Sequence, residues 1–195
     1  PGAPKSFSLI AIHEQGIPDA FGPEVLAEAE AARPVEGLEG REDLRGLPLI
    51  TIDPADARDH DDAVCALPDD DPANPGGFVI WVAIADVAHY VRPGSALDRE
   101  ARRRGNSTYF PDRVVPMLPE RLSADLCSLV PGEDRPCLAA RIVIGADGEK
   151  RGHSFHRGLM RSPAGLTYEA AQEIADRAET APEGEAETPI EAAVM

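Results

Sequence analysis

Apolar residues along the chain fall into short runs separated by proline, glycine and aspartate, and the spacing within each run predicts its element. "SFSLIAIH" (6–13) reads as a strand or strand end. "GPEVLAEAEAARP" places Pro23 at the first helical position, Glu24 in the first turn and Pro34 as a stop, which predicts a short alanine-rich helix. "VEGLEGREDLRG" (35–46) is a Gly- and charge-rich connector, with a boundary near residue 47. "LPLITID" (47–53) is a buried-type strand running straight into a group of aspartates, and "AVCAL" (63–67) resumes as strand.

The longest apolar run, "FVIWVAIADVAHYV" (78–91), is β-branched and aromatic, which predicts a central strand or two joined at Asp86. Phe78, Trp81 and Tyr90 are expected in the core. "SALDREARRRG" carries a capping pattern, Ser95 with Asp98, and ends with Gly105 at the C′ position. The proline-punctuated stretch after it is irregular, with a short helix near 119–127. "LAARIVIGADGEKRGHSFH" predicts a hairpin around Asp147-Gly148, and "LTYEAAQEIADRA" (166–178) a helix with Thr167 as N-cap. The tail from Glu179 is acidic, rich in Ala, Pro and Glu, and expected to be mobile. The reading is a mixed α/β (α+β) fold with a partly antiparallel sheet and flanking helices. It divides into a connector (1–46), a main domain (47–178) and an acidic tail (179–195).

With 195 residues and 43% hydrophobic content, the chain can bury one core. It has no run of about 18 apolar residues that would span a membrane, and no charged-then-apolar leader, so a cytoplasmic location is expected. Three cysteines without CxxC spacing (Cys65, Cys127, Cys137) read as reduced, buried thiols. A start at Pro1 and an end inside a helix-like run predict a piece of something longer. The formal charge of −16 by itself argues against nucleic-acid binding, whose footprint is normally basic. An enzyme whose carboxylates hold cations is the exception, because phosphate then meets the metal.

That exception has a candidate in "TIDPADARDHDDAV" (51–64), which packs Asp53, Asp56, Asp59, Asp61 and Asp62 into fourteen residues. Like charges this close repel unless something positive sits among them. The stretch is either a solvated acidic surface loop or a cage for hard, oxygen-loving cations such as Mg²⁺. It does not fit an EF-hand, which needs Gly at the sixth and Glu at the twelfth position. His60 is either a further ligand or, as the reading favours, an ordinary loop side chain.

The same stretch, followed in order by "WVAIADVAHYVRPGSALDREARRRGNSTYFPDRVVPMLPERLSADLCSL" and "RSPAGLTYE", resembles the catalytic RNB domain of the ribonuclease II / ribonuclease R exoribonuclease family, specifically its bacterial ribonuclease R branch and the N-terminal half of that domain. The resemblance implies processive hydrolysis of RNA from the 3′ end to 5′-nucleoside monophosphates, assisted by two Mg²⁺ ions, with Mn²⁺ as a substitute. It assigns Asp53, Asp59, Asp61 and Asp62 as catalytic and metal-binding, with Asp53 and Asp62 as principal ligands and Asp61 as the one whose loss most cripples chemistry. Asp56 has no matching role and is expected to be solvated. Tyr109 and Tyr168 fall where the family contacts RNA near its 3′ end, and base stacking on such rings is sequence-tolerant. Arg102, Arg103 and Arg104 are explained by the helix C-terminus they occupy.

The sequence departs from the family at Gly165, where a basic or bulky residue is usual, and at Pro163. The resemblance further implies single-stranded RNA as partner and flanking oligonucleotide-binding barrels in the full-length chain. It also implies that the piece alone is weakly active or inactive, with apolar surface left uncovered. The rival readings are a metal-binding module without turnover and a catalytically dead RNA-binding relative.

Overall fold

A computed structural model describes residues 4–180, which separate into two units. One is formed by residues up to Arg33 together with Val87–Leu126, the other by Pro34–Asp86 together with the segment from Cys127 onward. Both units are discontinuous in sequence, the second being interrupted by Val87–Leu126.

The first unit is mostly helical. Its helix α1 spans Pro4–Glu14, which corrects the expectation of a strand at 6–13. A short apolar run does not by itself distinguish strand from helix, and a proline at the first helical position fits the helix. Helix α2 (Pro23–Ala31) starts at Pro23 as expected. Residues Val87–Tyr90 form a single helical turn, α3, and Ala96–Arg104 form α4. Ser95 caps α4 by accepting the Asp98 N–H, and Gly105 closes it at φ 81°, in the left-handed region glycine tolerates. The carboxylate of Glu28 on α2 adds a second cap, accepting the N–H groups of Ala96 at 2.8 Å and Leu97 at 2.9 Å. Arg102 pairs with Asp98, while Arg103 and Arg104 both pair with Glu100, and the buried Arg104 also lies 3.7 Å over the Phe21 ring. These partners account for all three arginines. A small ribbon follows, β5 (Thr108–Phe110) against β6 (Arg113–Val115), then a helix that widens to π geometry at Leu122–Leu126.

The second unit is built on a five-stranded mixed sheet in the order β1-β8-β7-β4-β3. Its strands are β1 (Glu42–Asp43), β3 (Asp62–Pro68), β4 (Phe78–Ala85), β7 (Asp134–Ile144) and β8 (Lys150–Arg161). Only the β1–β8 pairing is parallel. The β7–β8 hairpin turns at Asp147-Gly148, with Gly148 at φ 80°. The apolar run from Phe78 stops as a strand at Ala85 because Asp86 turns inward. Its buried carboxylate meets Arg41 Nη1 at 3.1 Å and Arg157 Nε at 2.9 Å.

One sheet face is core, with Ala63, Cys65, Ala83, Cys137 and Ala139 at most 1% exposed. The other face carries Phe78, Ile84, Leu138 and Phe155 in exposed positions. Phe78, expected in the core, is 48% exposed, because the strand's alternation puts it on this second face with Ile84. All three cysteines are free and buried. A separate parallel pair, β2 (Thr51–Asp53) with β9 (Gly165–Thr167), leads into α5 (Tyr168–Thr180). Most of the tail from Glu179 lies outside the described residues. Among the described residues no helix is long and apolar enough to cross a membrane.

Candidate functional site

The aspartates sit where one strand ends and the next begins. Asp53 is the last residue of β2 and Asp62 the first of β3. Pro54, which has no N–H for a ladder, ends β2, and its carbonyl accepts the Ala57 N–H at 3.0 Å in a tight turn. The chain then returns antiparallel, since Ile50 and Val64 exchange both backbone hydrogen bonds, at 3.0 and 2.9 Å. Asp53 and the pair Asp61–Asp62 therefore stand at the two ends of one loop, across its base.

The carboxylates feel one another. Asp61 reaches solvent, but protein crowds it on one side, and this partial loss of hydration is the first cause raising its pKa above the usual carboxylate range. The negative charges of Asp62, Asp59 and Asp53 raise it further. Asp61 thus lies within electrostatic reach of the other three aspartates singled out in the sequence, while Asp56 is exposed as expected.

His60 does more than a loop side chain would. Its Nδ1 lies 2.6 Å from Asp53 Oδ2, and since an ionised carboxylate can only accept, the imidazole N–H donates. The backbone around it is tied to the segment after the π-helical turn. Ser128 Oγ donates to the Arg58 carbonyl at 3.0 Å and accepts the His60 N–H at 3.1 Å. Leu129 N–H donates to the His60 carbonyl at 2.7 Å. Sequence reading missed Ser128, because a lone serine in "LCSLV" carries no local signal.

The parallel register places Tyr168 next to the strand partner of Asp53. Asp53 pairs with Thr167, so Tyr168, 57% exposed, follows directly beside the end of the aspartate strand. Thr167 is the N-cap as expected, its Oγ1 accepting the Ala170 N–H at 3.1 Å. The amino end of α5, with its partial positive charge, therefore starts one residue beyond Asp53's strand partner. Tyr109 belongs to the helical unit, exposed on the β5–β6 ribbon. Gly165 has a local reason to be small, since a Cβ there would stand 3.1 Å from the buried Thr51 Oγ1 and 3.4 Å from Pro131 Cγ.

Among the described residues, no three His, Cys, Asp or Glu side chains converge as a finished ion cage. The donor chemistry nevertheless fits a hard cation. It consists of carboxylate oxygens under mutual repulsion, which a divalent ion would relieve.

Fold and site together define a mixed-sheet α/β domain that presents an acidic cluster at adjoining strand ends. The RNB domain model matches residues 41–193, and the chain belongs to that family. It is 47% identical over 175 residues to Ribonuclease R of Vibrio cholerae, a match covering 88% of this chain and 21% of that protein. It is 53% identical over 135 residues to Ribonuclease R of Escherichia coli, covering 69% of this chain and 16% of that one. Among solved structures, Mycoplasma genitalium RNase R in complex with double-stranded RNA superposes with a TM-score of 0.84 at 28% identity, over 98% of this chain and 33% of that chain. The chain therefore spans about a fifth of the curated relatives it matches.

Proposed function

We propose that this chain is the aspartate-bearing part of a 3′-to-5′ exoribonuclease that hydrolyses RNA processively to 5′-nucleoside monophosphates. The observation that carries the reading is the coupling of Asp61 to Asp53, Asp59 and Asp62 at the meeting of β2 and β3, within a member of the RNB family. Asp53, Asp59, Asp61 and Asp62 are the residues that would hold Mg²⁺, as a pair of ions, with Mn²⁺ able to replace it. When bound, such ions stabilise the attacking and departing oxygens of a phosphoryl displacement.

The protein's own groups prepare that chemistry. His60 orients the Asp53 carboxylate, and Tyr168 offers a ring face to the terminal nucleotides. Tyr109, in the helical unit, is the other ring proposed to contact RNA. Base stacking contributes about 1–3 kcal/mol per base without selecting sequence, which suits an enzyme that must advance through any RNA. The partners are the 3′ end of single-stranded RNA and, in the full-length chain, flanking oligonucleotide-binding barrels; the location is cytoplasmic. The piece alone is weakly active or inactive.

The test is incubation of the full-length chain with Mg²⁺ and 5′-labelled single-stranded RNA. Stepwise 3′ shortening with monophosphate release, abolished by Asp61→Asn, is the expected result. Intact RNA with metal still bound would replace the enzyme by a non-catalytic metal-binding module. Intact RNA bound without metal would replace it by a catalytically dead RNA-binding relative.

A further inference from the structure

Ser128 is completely buried and lies about seventy residues beyond the aspartate loop in sequence, yet its hydroxyl touches the loop on both sides of Asp59. It donates to the carbonyl of Arg58 and accepts the amide of His60, so one hydroxyl spans the peptide groups flanking a candidate ligand. Leu129 N–H takes the His60 carbonyl, which leaves the amide, carbonyl and ring of His60 all engaged, the last by Asp53. Ser128 is itself fixed from behind, because the buried Arg135 donates Nε to its carbonyl at 2.8 Å.

The loop needs such a device. Between Asp53 and Asp62 it forms no strand ladder, and mutual repulsion among its carboxylates favours spreading. A loop held by hydrogen bonds from a buried, rigid segment keeps its side chains in a preset arrangement, and supporting contacts of this kind set how well a site is organised before its ligand arrives.

We infer that Ser128 is a positioning residue that presets the aspartate loop for cation and RNA, through its paired hydrogen bonds to Arg58 and His60. The inference rests on the proposed function, and its test separates the two. In the full-length chain, Ser128→Ala, Ser128→Cys and Ser128→Thr are compared with the wild type by Mn²⁺ titration under electron paramagnetic resonance, by amide hydrogen exchange, and by turnover of single-stranded RNA.

Ser128→Ala is expected to raise exchange at the His60 amide at least tenfold. It should weaken Mn²⁺ binding about tenfold, the size typical of lost support around a metal site. It should also lower kcat while leaving KM for RNA within about twofold. Ser128→Thr, which keeps the hydroxyl, recovers both binding and kcat. Should Ser128→Ala not fold, Ser128→Cys, with its weaker donor, carries the same comparison. Unchanged Mn²⁺ affinity in a folded variant, whatever its melting temperature, overturns the inference. A wild-type chain that binds Mn²⁺ but cleaves no RNA overturns the proposed function, and the Mn²⁺ and exchange data then still decide the role of Ser128.

Discussion

The imidazole of His60 donates to the carboxylate of Asp53 across 2.6 Å, so the aspartate that ends β2 is held by a residue near the far end of its own loop. This contact partly offsets the repulsion that Asp53 shares with its neighbours. His60→Ala removes it, and the expected loss of stability without divalent ions is about 1.5–3 kcal/mol, the range for a hydrogen bond to a charged group. The rise in melting temperature on adding saturating Mg²⁺ should be larger in the variant than in the wild type. Thermal melts with and without Mg²⁺ check both statements.

Asp61 gives the opposite sign. Its carboxyl holds its proton more tightly in the folded chain than in the unfolded one. The folded state therefore binds more protons in the window from the ordinary aspartate value upward to the raised one, and stability falls as pH rises through it. Asp61→Asn removes the charge at similar shape. In metal-free buffer the variant should melt higher than the wild type near pH 7, with the gap closing as pH drops below the ordinary aspartate value. A pH series of melting temperatures tests this, and the same variant should lose RNA cleavage.

Glu28 ties two helices together by capping α4 from α2. The N–H groups of Leu97 and Ala96 are the main reasons its pKa is lowered. A lowered value means that the stabilisation is present above the unfolded pKa and is lost as pH falls through the folded one. Glu28→Ala is expected to cost about 1 kcal/mol at neutral pH, as for other lost caps, and less in acid. Urea unfolding at pH 7 and pH 3 measures the difference.

Gly158 lies on the core face of β8, where an added Cβ would come within 2.4 Å of Leu44 Cδ1 and 3.3 Å of Cys137 Sγ. Gly158→Ala should destabilise by about 1–3 kcal/mol, the range for overpacking. Because the nearest obstruction is the Leu44 side chain, combining it with Leu44→Ala should cost less than the two single changes together. A double-mutant cycle by chemical denaturation reads this out.

The elements that sequence made legible are those whose signals are local. The Ser95 cap and Gly105 stop of α4, the Pro23 start of α2, and the turn at Asp147-Gly148 each announce themselves within a few residues. The aspartate cluster was legible for the same reason, since charge density over a short span is visible without a fold. What escaped depends on distant partners. Strands β1 and β9 are two and three residues long and exist because β8 and β2 receive them. Asp86 was legible as a joint in the apolar run, but the Arg41 and Arg157 partners of its carboxylate are far from it in sequence. The helix at Pro4–Glu14 was misread because eight mixed apolar residues fit either period.

The parallel pairing of β2 with β9 has a consequence for how the chain is made. Thr51–Asp53 find their partner strand only at Gly165–Thr167, more than a hundred residues later. A ribosome adds about 5–20 residues per second, so the acidic strand waits on the order of 5–20 s after its own synthesis before the partner is even polymerised. Throughout that interval the nascent chain carries its cluster of negative charge on an unpaired edge. Any early stop in translation before residue 165 leaves that edge permanently without its neighbour.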